Sequence, residues 1–159
     1  MAKKKTKTVS SKEEDYELPD DLYYTTEHSW ARVEGDIVVV GVTDFAQTMA
    51  EKIQAVQLPF EGETVEFMKP FGTLESGKWT GKIYAPVAGE VTAFNEGLWD
   101  NASLVNTDPY GEGWMVKISP SNLEADLSKL MKGDTNEFVQ WQLAEIERVK
   151  KEVEEAKKE

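Results

Sequence analysis

The sequence lacks most of the side chains on which metal and redox chemistry depend. It contains no cysteine and a single histidine, His28, among 159 residues. The absence of cysteine excludes disulfides and thiolate metal sites, and one imidazole cannot form a multi-histidine site. There is also no glycine-rich phosphate loop, no nucleophile elbow and no zinc-ligand spacing. We therefore predict neither a catalytic constellation nor a metal site.

Long apolar runs and positive charge are scarce as well. No run approaches the ~20 residues of a membrane-spanning helix, so we expect no membrane association. Lysine and arginine number 18 against 30 acidic residues, and the formal net charge is -12. Because phosphate contacts need a basic surface, nucleic acid is not expected as a partner. The acidity instead favours encounters with basic docking surfaces.

The first 21 residues are dense in charge. Residues 1–12 carry five lysines, and residues 13–21 carry six acidic residues. No apolar stretch follows the lysines, as a secretory signal would require, and we expect a cytoplasmic protein. Segments of this composition usually cannot bury enough apolar surface to fold. The composition predicts a disordered charged extension over residues 1–21.

A central stretch from Phe71 to Phe94 reads FGTLESGKWTGKIYAPVAGEVTAF and alternates strand formers with glycine and proline. This pattern predicts three strands joined by two turns. Lys78 falls in the first turn, between Gly77 and Trp79, so we expect its amine to point into water. A lysine at a hairpin tip is accessible to a modifying enzyme, although an ordinary turn lysine has the same pattern.

A short internal repeat brackets this lysine. Residues 59–63 and residues 86–90 share the pattern Pro-x-x-Gly-Glu, and their glycines are Gly62 and Gly89. Repeated β sequence on both sides of a turn predicts two similar halves that pack as a flattened barrel or sandwich. Lys78 would lie where the halves join.

The C-terminal segment, residues 134–159, is predicted to be one long helix. Asp134 and Glu137 have the spacing of a capping box, and neither glycine nor proline occurs from Thr135 to Lys158. A narrow apolar stripe would pack on the domain. The last turns would form a frayed tail, or they would make a dimer or partner contact. A second, shorter helix is predicted from Ser121 to about Gly133.

Five motifs occur in order along the chain: YTTEHSWARVEGD (24–36), VGVTDFAQ (40–47), GTLESGK (72–78), YAPVAGEV (84–91) and LVNTDPYGEGWMVKI (104–118). Together they resemble the H protein of the glycine cleavage system, a family of lipoyl carriers. The resemblance implies a mainly β fold, the lipoyl/biotinyl-type barrel-sandwich hybrid with short flanking helices. The carrier domain would span residues 22–133, and residues 134–159 would add the long C-terminal helix.

The resemblance also implies roles for individual residues. Lys78 falls on the attachment lysine of the family, so lipoic acid would be its covalent cofactor. Glu75, Gly62 and Gly89 fall where the family's lipoate-attaching enzymes favour a glutamate and flanking glycines.

Four further residues are expected to contact the arm or a partner. Glu27 and His28 match the family's EH pair, which the resemblance places near the cleft where a loaded arm can rest. Gly77 and Trp79 flank the attachment lysine. An exposed tryptophan is typical of contact surfaces.

The residues around the lysine depart from those of typical H proteins. Trp79 stands where a small or aliphatic residue is usual, and Lys82 stands near the place of an acidic one. The pattern ESGKWTGK is more similar to divergent lipoate-binding proteins of bacterial sulfur oxidation. We therefore predict a lipoate carrier that shuttles a thiol-bound intermediate in sulfur oxidation, with a heterodisulfide-reductase-like complex. The alternative is a glycine cleavage H protein that carries an aminomethyl group between decarboxylase, aminomethyltransferase and dihydrolipoamide dehydrogenase.

Both predictions describe a non-catalytic carrier subunit. Its partners would be a lipoate-attaching enzyme, dihydrolipoamide dehydrogenase, and either the heterodisulfide-reductase-like complex or the glycine cleavage enzymes. A biotin carrier shares the fold but usually has methionines on both sides of the lysine, where this chain has Gly77 and Trp79. A stand-alone enzyme is disfavoured by the missing constellation. A purely structural module is disfavoured because Lys78 occurs together with Glu75 and both glycines.

Overall fold

The protein consists mainly of β-strands, with short helices between them and one long helix at the end. The computed structural model describes residues 6–10, 15–77 and 80–157. The strands are β1 (Thr6–Ser10), β2 (Asp15–Pro19), β3 (Tyr23–Tyr24), β4 (Ser29–Glu34), β5 (Ile37–Val42), β6 (Ile53–Gln57), β7 (Thr64–Val65), β8 (Pro70–Ser76), β9 (Thr80–Tyr84), β10 (Gly89–Phe94), β11 (Val116–Pro120) and β12 (Met131–Lys132). The helices are α1 (Asp44–Ala50), α2 (Gly97–Asp100), α3 (Leu104–Thr107), α4 (Leu123–Leu127) and α5 (Asn136–Lys157).

Two antiparallel sheets form the body of the domain. The larger one has the order β12-β3-β4-β5-β11-β10-β7, and the smaller one has the order β6-β8-β9. Their apolar faces meet in a shared core, in which Leu58 and Phe71 contact both of the main clusters between the sheets. The predicted fold class, a barrel-sandwich hybrid with a long C-terminal helix, is confirmed.

Strand β5 carries a continuous apolar run from Ile37 to Val40. This strand lies between β4 and β11 in the larger sheet. Val38, Val39 and Val40 are at most 1% exposed, so both faces of the strand are covered. Strands buried on both faces are typically continuous in apolar residues rather than alternating.

The two copies of the repeat meet each other at the edge of the larger sheet. Gly89 of β10 is paired with Val65 of β7. The backbone N–H of Gly62 donates to the carbonyl of Val91 at 2.9 Å, and the N–H of Val91 donates to the carbonyl of Glu63 at 2.8 Å. The first copy is therefore joined by direct backbone hydrogen bonds to β10, the strand that begins in the second copy.

Both repeat glycines are required by the backbone. Gly62 has a φ of +90°, which side chains other than glycine rarely adopt. A Cβ at Gly89 would lie 2.1 Å from the carbonyl oxygen of Ser119 and 2.9 Å from the Cα of Pro120. Because those atoms belong to the neighbouring strand, no side-chain movement could relieve the overlap.

The prediction of a disordered extension over residues 1–21 is wrong for β1 and β2. These strands pair with each other, and Tyr16 and Leu18 are 2% and 0% exposed. The N–H of Glu17 donates to Asp44 Oδ2 at 2.9 Å, and the hydroxyl of Tyr110 donates to the carbonyl of Glu17 at 2.6 Å. Two apolar residues at alternating positions are enough to dock a charged strand, because they point to the same face. The remaining residues of the predicted extension, apart from the turn at 20–21, lie outside the described residues.

The helix predicted from Ser121 to about Gly133 is much shorter in the structure. Helix α4 ends at Leu127, and Met131 pairs with Tyr24 in the larger sheet. The carboxylate of Asp126 accepts a hydrogen bond from the N–H of Ala88 at 2.8 Å. These tertiary contacts outweigh the helical preference of the segment.

Helix α5 anchors its first half on the domain. Phe138 stacks on Tyr24 at a ring distance of 4.2 Å, and Ile146 is 1% exposed, whereas Val153 near the end of the helix is 46% exposed. The hydroxyl oxygen of Thr135, rather than Asp134, accepts the hydrogen bond from the N–H of Phe138. None of the described helices is long and apolar enough to cross a membrane.

We predict that Leu18→Ala lowers the free energy of unfolding by about 2–5 kcal/mol, because it leaves a cavity under the docked strand. Urea unfolding followed by tryptophan fluorescence measures the change. Glu17→Ala is the matched control, since that side chain is exposed and such substitutions usually stay within about 0.5 kcal/mol. Equal stability of Leu18→Ala and the parent would contradict the docking of β2.

Candidate functional site

The hairpin of β8 and β9 frames the predicted attachment site. Glu75 is paired with Thr80, and β8 ends at Ser76. Residues 77–79 therefore connect the two strands, as the sequence predicts. Lys78 and Trp79 lie outside the described residues, and the attachment of lipoate at Lys78 remains a prediction.

Glu75 is positioned by the alternation of β8. Its neighbours Leu74 and Ser76 are 3% and 7% exposed, whereas Glu75 is exposed on the opposite face. Gly77, which follows the strand, is exposed as well. A carboxylate at this place is available to a basic surface of a modifying enzyme. Gly62 and Gly89, predicted to act in the same recognition, have the backbone roles described above.

A cleft of about 670 Å³ lies along the inner side of the hairpin. The hairpin, helix α1 and helix α5 form its walls, and the segment before β4 closes one end. Its lining residues are Glu27, His28, Val42, Phe45, Ala46, Met49, Ala50, Leu74, Lys82, Tyr84, Arg148, Val149 and Glu152.

The cleft has an apolar floor and a charged rim. Val42, Phe45 and Leu74 are each less than 5% exposed, and Lys82 is exposed on β9. The apolar methylenes and dithiolane of a lipoyl arm could lie against this floor, and a polar group loaded on the end of the arm would meet the charged rim. The residues present therefore fit a lipoyl arm attached at the end of the hairpin.

Helix α1 and His28 are held to each other by one residue. The side-chain oxygen of Thr43 accepts from the N–H of Ala46 at 3.2 Å and caps the helix. The N–H of Thr43 donates to the carbonyl of His28 at 3.0 Å. His28 has a φ of +68°. The loop before β4 and the α1 wall of the cleft are thus fixed as a unit.

The imidazole of His28 faces helix α5. Its Nε2 lies 3.0 Å from Oε2 of Glu145, and its ring lies 4.9 Å from Phe45 and 5.2 Å from Trp141. Nδ1 is buried and has no hydrogen-bond partner among the described residues. Glu27 and His28 both line the cleft, and the hydrogen-bond partner of His28 comes from helix α5; their contact with an arm or a partner stays a prediction.

Arg148 pairs with Glu145, the acidic residue that contacts His28. It makes a bidentate pair with Glu145, at 3.0 Å from Nε and 2.8 Å from Nη2, and its Nη1 lies 2.8 Å from Glu152. The hydrogen bond from Arg148 holds the pKa of Glu145 below its ordinary value, and the contact with His28 acts in the same direction. Sequence reasoning missed these three residues, because such spacing on a charged helix is usually solvated surface.

We predict that His28 titrates below its ordinary pKa of 6.5, since burial disfavours the imidazolium and Glu145 offsets this only in part. The unfolded chain would bind its proton near pH 6.5 and the folded one only at lower pH. The contribution of His28 to stability should therefore be constant above that value and be lost as the pH falls from it through the folded pKa. NMR titration of tag-free folded protein measures the pKa of His28 without ambiguity, because His28 is the sole histidine.

Two variants test the cause of this shift. Glu145→Gln should lower the pKa of His28 further, because it removes the carboxylate that raises it. Glu152→Gln is the matched control, since Glu152 bonds to Arg148 and not to the imidazole. A pKa above 6.5, or one that Glu145→Gln leaves unchanged, would contradict the assignment.

Comparison with protein families gives a match over most of the chain. The family model described as "Glycine cleavage H-protein" matches residues 22–153, which include β3 to β12 and most of α5.

Three curated relatives are named for the same system. The glycine cleavage system H protein of Bacteroides fragilis is 48% identical over 114 residues, which are 72% of this chain and 90% of the relative. That of Myxococcus xanthus is 52% identical over 105 residues, 66% of this chain and 81% of the relative. Glycine cleavage system H protein 2 of Aquifex aeolicus is 45% identical over 131 residues, 79% of this chain and 81% of the relative.

A solved structure shares the architecture. The crystal structure of a glycine cleavage system H protein from Mycobacterium marinum superimposes with a TM-score of 0.70 at 31% sequence identity. The superposition covers 80% of this chain and 99% of the other.

Proposed function

Because the chain belongs to the glycine cleavage H-protein family, we propose that it carries lipoate on Lys78 in glycine cleavage. In this role it would take an aminomethyl group from the decarboxylase to the aminomethyltransferase, and dihydrolipoamide dehydrogenase would then reoxidise the unloaded dithiol. The observation that carries the proposal is the cleft of about 670 Å³ along the hairpin whose strands flank residues 77–79. H proteins are carrier subunits, so the chemistry belongs to the partner enzymes.

Family membership supports glycine cleavage over the sulfur-oxidation prediction. The relatives described above are named for glycine cleavage, and their names mention no sulfur pathway. The sulfur-oxidation prediction rested on Gly77 and on residues 79–82, which are few positions beside a match of residues 22–153. A heterodisulfide-reductase-like partner has no support from these relatives.

The chain itself would supply attachment, placement and shielding. Acylation of Lys78 removes its positive charge, so the formal net charge of -12 becomes one unit more negative. When bound, lipoate would supply a disulfide whose S–S bond breaks as one sulfur accepts the load and the other leaves as a thiol. Leu74 and Phe45 would shield the methylene chain from water, while Lys82 and Glu27 stay at the solvated rim. We propose that residues 22–133 form the carrier domain and that α5 completes its cleft.

Recognition by the lipoate-attaching enzyme would use the hairpin. Glu75 offers it an exposed carboxylate on β8. Gly62 and Gly89 would act indirectly, because they hold the repeat copies that support the hairpin. Gly77 and Trp79 would contact the partner enzymes.

We predict that protein from a lipoylation-competent host carries one lipoyl adduct at Lys78. Lys78→Arg should abolish the adduct, because the guanidinium is a poor acyl acceptor. In the same assay Glu75→Ala should acquire the adduct more slowly while its unfolding curve stays that of the parent, since an exposed carboxylate contributes little to stability. Intact-mass and peptide-mapping spectrometry measure both.

Other lysines on the hairpin are the built-in controls for that experiment. An adduct on Lys69 or Lys82 would contradict the attachment site. Equal lipoylation rates for Glu75→Ala and the parent would contradict recognition through Glu75, whatever the site of attachment.

We predict that the lipoylated protein sustains glycine-dependent NADH formation when the three glycine cleavage enzymes are supplied. Lys78→Arg, prepared in the same way, should reduce the signal to background, because no arm is present to carry the load. A lipoylated parent that supports no NADH formation would refute the glycine cleavage role and return attention to the sulfur-oxidation prediction.

A further inference from the structure

Three aromatic side chains, two exposed and one partly buried, form a surface cluster away from the cleft. We call this cluster, Phe60, Phe94 and Trp99, the aromatic patch. Ring centroids lie 5.6 Å apart for Phe60 and Phe94, 5.1 Å apart for Phe94 and Trp99, and 6.3 Å apart for Phe60 and Trp99. Phe60 is 59% exposed and Trp99 is 51% exposed. Large rings that pack on one another at the surface are typical of contact sites.

The backbone holds the patch in a defined arrangement. Leu98 is 1% exposed and anchors α2 in the core, so that Trp99 beside it projects outwards. The side-chain amide of Asn95 donates to the carbonyl of Trp114 at 2.7 Å and fixes the chain between Phe94 and α2. The rings are therefore presented ready for contact, which reduces the entropy cost of binding.

The two chain segments that carry the patch contain charge of one sign, and Lys117, which is paired with Ala93 on the neighbouring strand, has its amine 5.0 Å from the Trp114 ring. Phe60 lies in residues 53–68, and Phe94 and Trp99 lie in residues 83–116; neither segment contains lysine or arginine. The acidic residues of the two segments are Glu61, Glu63, Glu66, Glu90, Glu96, Asp100, Asp108 and Glu112. Two acidic surfaces repel each other, so a second copy of the chain is a poor occupant. An apolar recess edged by lysine and arginine is the complementary surface.

The patch is also separate from the end of the hairpin. In the smaller sheet Ile53 is paired with Ser76, and Gln57 is paired with Thr73. Phe60 follows the end of β6 that lies away from residues 77–79. Three residues of a strand span about 10 Å, so Phe60 is at least that far along the hairpin from its end. None of the three rings lines the cleft. A partner seated on the patch would leave the hairpin end free.

We propose that the aromatic patch docks one of the enzymes served by the arm, through an apolar recess edged by lysine and arginine. The choice of candidate enzymes rests on the proposed function. Trp99 would be the main anchor, because exposed tryptophans placed in a partner's recess commonly dominate binding energy. The acidic residues around it would speed association and make it sensitive to salt. The docked enzyme would then meet the arm at a raised effective concentration.

The test measures dissociation constants of the full-length lipoylated protein for the purified decarboxylase, aminomethyltransferase and dihydrolipoamide dehydrogenase. At least one enzyme should bind the parent, more weakly at high salt. Trp99→Ala and Phe60→Ser should each weaken that binding, with Trp99→Ala raising the constant by about tenfold or more. Val153→Ser, which removes an exposed apolar side chain on α5, is the matched control and should change nothing.

A second pair of variants tests the charge complementarity. Glu96→Lys combined with Asp100→Lys should weaken the same enzyme's binding and reduce its dependence on salt, with the rings left in place. Unfolding curves of all variants should match that of the parent, since the altered side chains are exposed.

Two outcomes would overturn the docking proposal. One is binding that Trp99→Ala and Val153→Ser affect equally, and the other is no binding of the parent by any of the three enzymes. Glycine-dependent NADH formation, measured on the same samples, decides the proposed function separately. NADH formation by the parent with unaltered binding by Trp99→Ala would leave the function standing and refute the patch.

Discussion

The position of the hairpin depends on the backbone pairing between the two copies of the repeat. Gly89 lets β11 approach β10 so closely that a Cβ would lie 2.1 Å from the carbonyl oxygen of Ser119. A few residues earlier, Ala85 accepts from the N–H of Met68 at 2.7 Å and donates to the carbonyl of Lys69 at 3.0 Å. These bonds lie at the base of β8 and β9. The segment that completes the edge of the larger sheet therefore also fixes the base of the hairpin that frames residues 77–79.

The cleft is shaped by parts of the chain that lie outside the two main sheets. Helix α5 supplies one wall and gives His28 its hydrogen-bond partner. Strands β1 and β2 affect the cleft indirectly. Tyr16 of β2 packs edge-on against Phe45 at 5.1 Å, and Phe45 lines the cleft. A change in the packing of β2 would therefore reach the cleft through one aromatic contact, without altering the strands that flank residues 77–79.

The sequence predicted what depends on local pattern, and it missed what depends on long-range contact. Alternation and turn residues located β8, β9 and the meeting of the repeat copies, because register and turn chemistry are local. The docking of Leu18 was missed because charge dominates its neighbourhood and its partners come from distant segments. Likewise, nothing in the order of residues indicates that Glu145 reaches back to His28. The aromatic patch was missed for the same reason, since its rings come from three separate elements.

The separation of the patch from the hairpin end suits a carrier that must both meet and leave its partners. A tethered arm gains effective concentration from a second contact only if that contact does not block the arm. Three rings form a small contact, and a small contact with a charged surround associates quickly and dissociates quickly. A large apolar interface would bind more tightly but would hold the carrier on one enzyme. The small size of the patch and its separation from the hairpin end are therefore both consistent with repeated, short-lived binding to partner enzymes.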